Sequence, residues 1–193
     1  MESLEIEFKS MLTKADYKKL LTHFSLSEKA PFWQKNFYFD TPQQELKQLH
    51  FSLRVRQFAN YGEQTLKVPQ KWGKLEITDS LTKQEVSRLV ATKKIKTGGA
   101  VEKKLQEEAI SLANLAPFGH LKTFRYEVPL SIGLLAIDKS YYVGKVDYEL
   151  EMEVKNFSTG KKDFFQLLEE LDIPYRKATS KIQRLVTRLN ERT

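Results

Sequence analysis

The sequence predicts an α+β chain in which about eight strands close into a barrel with a charged interior and helices packed outside. Three observations predict it. Segment after segment alternates apolar and polar residues with the period of two that a strand imposes. The polar face of these strands is charged with both signs, rather than merely hydrophilic. Helical stretches punctuate the strands and can cover their apolar face. In an open sheet the charged face would meet solvent; repeated over so many strands it points inward, and closure removes the exposed edges.

The first strand is Glu5-Ile6-Glu7-Phe8-Lys9, with Glu5, Glu7 and Lys9 on one face and Leu4, Ile6 and Phe8 on the other. Two carboxylates about 7 Å apart along a strand repel each other. They become useful when a divalent cation lies between them and a substrate, with a lysine beside them for an anion. Thr13-Lys14-Ala15-Asp16 resembles a helix start, with Asp where a full capping box has Glu or Gln. Tyr17, Leu20, Leu21 and Phe24 then recur at helical spacing. Residues 33–40 read as a second strand, 43–49 as a turn, and 51–57 as a third strand with Arg54 and Arg56 opposite Leu53 and Val55.

Asn60-Tyr61-Gly62 signals a hairpin whose returning strand, 64–68, carries Lys67. A short strand at 75–78 carries Glu76 and Thr78 on one face. Thr82-x-x-Glu85 is a capping box that opens a helix reaching Leu89, and a further helix is expected over 102–115, after Gly98-Gly99. Residues 120–128 form a strand with Thr123, Arg125 and Glu127 on one face. Strands over 130–139 and 144–155 follow, joined by a turn near Ser140. The second of these holds Asp147, Glu149, Glu151 and Glu153 on a single face. Helices over 161–171 and 180–190 close the chain.

At 193 residues the chain fits one domain, residues 1–193, without a dividing linker. It has no cysteine, which excludes disulfides, thiolate catalysis and zinc-thiolate sites and fits a cytoplasmic location. No stretch approaches the roughly 18 apolar residues of a membrane span. The net charge of +7 implies an anionic partner. The basic residues are dispersed, and Trp33, Trp72 and the phenylalanines are not interleaved with arginines on one face, so general nucleic-acid binding is disfavoured. His23, His50 and His120 share no ligand spacing. Oligomeric state is left open.

The charged face collects carboxylates from Glu5, Glu7, Glu76, Asp147, Glu149 and Glu151, and cations from Lys9, Arg54, Arg56, Lys67, Lys74 and Arg125. Oxygen ligands without histidine or cysteine suit Mg²⁺ or Mn²⁺. Arginines and lysines on facing strands suit a row of phosphates. A metal-bound phosphate substrate needs both sets, which is the composition of phosphoryl-transfer or pyrophosphate-bond chemistry.

These residues resemble the CYTH superfamily, the triphosphate tunnel metalloenzymes. Glu5-x-Glu7-x-Lys9 is similar to the family's N-terminal ExExK, Leu53-Arg54-Val55-Arg56 to its LRxR strand, and Thr65-Leu66-Lys67 to its TxK strand. Arg125 matches the mid-chain arginine, Glu149-Leu150-Glu151 the late ExE, and Ser180-Lys181 with Arg184 the C-terminal SKxxR. The resemblance implies an eight-stranded antiparallel tunnel that binds a small-molecule triphosphate with a divalent metal. It implies metal ligands at Glu5, Glu7, Glu149 and Glu151. Phosphate contacts would come from Lys9, Arg54, Arg56, Lys67, Arg125 and Lys181, with Lys67 or Lys9 assisting proton transfer. Glu76, Asp138, Asp147 and Arg184 are further candidates. The implied activity is hydrolysis of inorganic, thiamine or nucleoside triphosphate; class IV adenylyl cyclase and non-catalytic polyphosphate or nucleotide binding are the alternatives. One departure is Lys74-Leu75-Glu76-Ile77-Thr78, where many relatives carry Arg-x-Glu-x-Glu. Thr78 removes one carboxylate, and the chain resembles the poorly characterised bacterial branch of this thiamine-triphosphatase-like superfamily more than its cyclase branch.

Overall fold

The computed structural model describes residues 1–192 and contains a closed, wholly antiparallel barrel. Its strands are β1 (Glu2–Leu12), β2 (Phe32–Asp40), β3 (Ser52–Gln57), β4 (Tyr61–Pro69), β5 (Lys74–Thr82), β6 (Ala116–Leu130), β7 (Gly133–Tyr142) and β8 (Lys145–Val154). They run around the barrel in the order β1-β5-β4-β3-β2-β6-β7-β8. Two meanders, β2 to β5 and β6 to β8, meet along β2 and β6. Strand β1 closes the other seam because it is long enough to serve two neighbours. Its first residues pair with β5 (Glu5 opposite Lys74), and from Ile6 onward it pairs with β8 (Lys9 opposite Glu151). That change of partner decides which charges each β1 side chain meets.

The apolar core lies outside the barrel wall, as the alternation requires. On β3, β4 and β5 the outward Leu53, Val55, Leu66 and Ile77 pack under α3 (Lys83–Thr92) and α4 (Ala100–Glu107) through Val86, Leu89, Val101 and Leu105. On β1, β7 and β8, Ile6, Leu135, Ile137, Leu150 and Met152 pack under α1 (Lys14–His23) and α5 (Phe157–Glu170) through Leu20, Phe164 and Leu168. The last helix, α6 (Lys181–Asn190), lies across one end of the barrel. Its Leu185 seats on Tyr38, Leu121 and Tyr142, which share the inward face of β2, β6 and β7 with Asn36, Arg125 and Asp138 and make a small apolar cluster at that end. Among the described residues no helix is long and apolar enough to cross a membrane.

Five local expectations shift. The 43–49 turn contains a short helix, α2 (Glu45–Gln48), whose first amides are held by Asp40 and Thr41. Asp16 completes a capping box with Thr13 despite being one methylene shorter than Glu. Helix α4 stops at Glu107, where Ala109 turns to φ 57°. The Asn60-Tyr61-Gly62 signal is displaced: Tyr61 and Gly62 already belong to β4, and Phe58 closes the turn by donating to the Tyr61 carbonyl at 2.9 Å. Gly62 is needed for close approach, since a Cβ there would lie 2.3 Å from Val86 Cγ2 and 2.4 Å from the Arg56 carbonyl oxygen. Likewise Ser140 lies within β7 opposite Asp147, and the β7–β8 turn is Val143-Gly144, both with positive φ.

Candidate active site

Inward positions place two connected ionic groups inside the barrel. The first spans β1, β3, β4 and β5. Lys67 Nζ lies 2.5 Å from Glu5 Oε2 and 2.5 Å from Glu76 Oε1, joining β4 to its neighbour β5 and, beyond it, to β1. Arg54 stands 3.7 Å from Glu76 and 3.8 Å from Glu63, and Arg56 lies 3.1 Å from Glu63 while its Nε donates to Asn36 Oδ1 at 2.8 Å. Thr65 and Thr78 share a hydroxyl contact of 3.2 Å.

The second group spans β1, β6, β7, β8 and the start of α6. Arg125 grips Asp138 with two parallel bonds, Nε to Oδ1 at 2.7 Å and Nη2 to Oδ2 at 2.6 Å, and also meets Glu151 at 2.5 Å. Lys181 is delivered from the first turn of α6, which Ser180 caps in a box with Gln183. Its ammonium meets three carboxylates, Asp138 at 2.8 Å, Glu149 at 2.7 Å and Glu151 at 2.8 Å. Arg184, one turn later, reaches Glu149 at 2.7 Å and Asp147 at 3.1 Å. Asp147 also accepts a short bond from the Tyr142 hydroxyl. Lys9 joins the set through Glu7 at 2.6 Å and Glu151 at 3.7 Å.

The electrostatics follow from burial opposed by partners. Burial alone would push the Glu151 carboxyl up, but Lys181, Arg125 and Lys9 outweigh it and hold it well below the usual range. Asp138 is lowered against burial by Arg125 and Lys181. Lys181, opposed by its own burial, is raised well above an ordinary lysine by Asp138, Glu149 and Glu151. Lys9 is raised in the same way, against burial, by Glu151 and Glu7. Arg56 goes the other way: burial and the neighbouring Arg54 guanidinium bring it down to about 10. Glu63 opposes that shift, and an arginine stays charged at neutral pH. Lys74 is lowered by burial and by Lys67. Glu153 is raised by burial and by the Glu5 and Glu76 carboxylates.

The candidate metal and phosphate ligands singled out from the sequence lie in these two groups, with Lys74 in neither, but they are not distributed as expected. Glu5 and Glu7 each lean on a lysine, whereas the tight acidic cluster is Asp138, Glu149 and Glu151, each offering an oxygen within 4.8 Å of the others. Three carboxylates without nitrogen or sulfur donors fit a hard divalent cation. Asp138 is fully buried, and in sequence it ends the apolar run Leu134-Leu135-Ala136-Ile137, which conceals it. Glu63 was missed altogether. Its alternation with Thr65 and Lys67 along β4 is the signal that finds it. Asn36 and Tyr142 carry no such signal.

Comparison with known proteins agrees with this geometry. A model of the CYTH domain matches residues 3–186. YjbK of Bacillus subtilis, a candidate triphosphatase, is 38% identical over 183 residues, covering 95% of this chain and 94% of the relative. The crystal structure of a candidate adenylate cyclase from Bacillus halodurans is 32% identical with a TM-score of 0.89, over 95% of this chain and 97% of that one. HpAC1 from Hippeastrum, a candidate adenylyl cyclase with a dominant triphosphatase activity, shares the fold at 20% identity and a TM-score of 0.77, over 95% and 96% of the two chains.

Proposed function

This chain belongs to the CYTH family, and from that membership we propose that it is a metal-dependent hydrolase of a small-molecule triphosphate held inside the barrel. The observation that carries the reading is the pairing of a three-carboxylate cluster with a wall of arginines and lysines inside one closed barrel. Neither set alone binds a metal-phosphate substrate.

Asp138, Glu149 and Glu151 would hold the cation, with Glu5 and Glu7 on the adjoining strand as further ligands. A bound Mg²⁺ or Mn²⁺ supplies charge neutralisation on the phosphate oxygens. Arg54, Arg56, Lys67, Arg125, Lys9 and Lys181 grip and orient the phosphates. Without substrate these cations lean on the barrel's own carboxylates, so binding is an exchange of partners: phosphate oxygens take the cations and release carboxylate oxygens. Water adds to a phosphorus atom, the anhydride P–O bond breaks, the electron pair leaves with the departing phosphate, and the water's proton passes to the released phosphate or to solvent. The fixed cations meet the charge that develops there without reorganising. Lys9, with its raised pKa, remains an ammonium through neutral pH and serves as a donor rather than a base.

The test is phosphate release from inorganic triphosphate, thiamine triphosphate and nucleoside triphosphates, each with Mg²⁺ and with Mn²⁺. The expected result is release that requires the cation. Cyclic AMP from ATP would favour the cyclase reading, and tight binding without turnover under any metal would make the protein a binder.

A further inference from the structure

The outer face of β2, β6 and β7 carries a second ordered array, away from the tunnel. Register sets two rows across the strands. Lys35, Lys122 and Tyr141 form one, and Trp33, Phe124 and Lys139 form the next. Each lysine lies over a ring: Lys122 Nζ is 5.0 Å from the Trp33 centroid and 4.8 Å from that of Phe124, Lys139 is 5.1 Å from Tyr141, and Lys35 is 4.9 Å from Phe37. The outward positions of these three strands contain no Asp or Glu. Lys35 stands directly opposite Lys122, and like charges facing each other across strands are destabilising. A groove of about 640 Å³ runs along this face, lined by Trp33, Lys35, Lys122, Tyr141 and the β7–β8 turn. Tyr141 and Val146 at its edge are 37% and 41% exposed.

We propose that this groove binds single-stranded nucleic acid, with the lysines on phosphates and the Trp33 and Tyr141 rings against bases. Alternating cation and flat ring is the complement of alternating phosphate and base. A polyanion also relieves the Lys35–Lys122 opposition. A second copy of this chain would instead bring lysines against lysines. A bilayer surface favours rings that project from a convex face, whereas these line a concave one beneath ammonium groups. Sequence order hid the array, because its rings interleave with lysines from other strands rather than with neighbouring arginines.

The chain has two tryptophans, so a Trp72→Phe background leaves Trp33 as the sole indole reporter. The probe is a short 5′-hydroxyl oligouridylate, which lacks the triphosphate that the tunnel would recognise. Saturable quenching is expected, with log affinity falling against log salt at a slope of about −1.5 to −2, as for two or three neutralised phosphates. By anisotropy of the labelled strand, Trp33→Ala weakens binding about tenfold or more. Lys35→Glu/Lys122→Glu abolishes binding while inorganic triphosphate hydrolysis stays at the parent rate. Lys122→Gln/Lys139→Gln gives a milder loss should the double charge reversal fail to fold. Four results would overturn the proposal: no quenching at low salt; equal quenching by phosphatidylserine vesicles; binding that inorganic triphosphate competes away; or Trp33 quenching that follows self-association in sedimentation.

Discussion

Lys181→Met removes one ammonium from three carboxylates, and the consequence can be worked from the distances. Lys181 Nζ lies 2.7–2.8 Å from Asp138, Glu149 and Glu151, and all four side chains are largely shielded from solvent. At a separation of 4 Å one unit-charge pair is worth about 4 kcal/mol at the effective dielectric of a protein site, before desolvation is subtracted. Breaking a buried ion pair by deleting one partner costs about 3–5 kcal/mol, because the remaining charges stay uncompensated. In a domain of this size that lowers the melting temperature by roughly 6–20 °C. The same deletion leaves three carboxylates within 4.8 Å and removes the one ammonium that meets all three, with Arg125, Arg184 and Lys9 as their remaining cations, so a divalent cation should bind the variant's folded state more tightly than the parent's. At a hundredfold excess over its dissociation constant the cation returns about 2.7 kcal/mol. The assay is thermal unfolding by circular dichroism of parent and variant, in chelator and in Mn²⁺. The variant should melt well below the parent in chelator and recover most of the gap with Mn²⁺, while the parent moves less. Equal melting in chelator, or equal Mn²⁺ shifts, would refute the assignment of Lys181 as the cluster's counter-ion.

The lowered carboxyls of Glu7, Asp138 and Glu151 contribute stability that is fully present above the ordinary carboxylate range and lost as pH falls through their folded values. The melting temperature should therefore stay level from neutral pH down to about pH 5 and fall below about pH 4; a steep decline between pH 7 and 5 would contradict this. Glu153 has the opposite sign, since its raised carboxyl makes the ionised form the less favourable one in the fold. Glu153→Gln should raise the melting temperature at pH 7, with the gain vanishing once the parent carboxyl is protonated. Gly62→Ala drives a Cβ into Val86 and the Arg56 carbonyl and should cost roughly 1–3 kcal/mol in urea unfolding by forcing α3 off the β3–β4 wall. An unchanged midpoint would show that the wall yields there.

The barrel was legible in the sequence because a period of two sorts side chains to faces. Charge of both signs on one face of so many strands, opposite an apolar face that helices can cover, is the pattern of a closed barrel with an ionic interior. Which strands become neighbours was not legible, because alternation carries no information about pairing. Strand β1 reads as one charged face, yet its change of partner sends Glu5 to Lys67 and Lys9 toward Glu151. Asp138 was underweighted because its strand is apolar on both faces just before it: Ala136, on the inward side, is small rather than polar. The β7–β8 turn was misplaced because Val143, a β-branched residue, adopts φ 46°, a conformation normally signalled by Gly or Asn. Helix α4 was drawn too long because the apolar spacing continues through Ile110 and Leu115, which remain buried after the helix has ended.

The most direct test of the account is steady-state phosphate release from inorganic triphosphate with Mn²⁺, comparing the parent with Glu7→Gln and Glu151→Gln. Both substitutions keep side-chain volume and remove one carboxylate charge from the tunnel, Glu151 also facing Lys181 and Arg125. The account predicts cation-dependent release by the parent and loss of about a hundredfold or more in each variant, comparable to deleting one electrostatic contact in a preorganised site. Release at the parent rate from both variants would contradict the assignment of the barrel interior as the place where the triphosphate is hydrolysed.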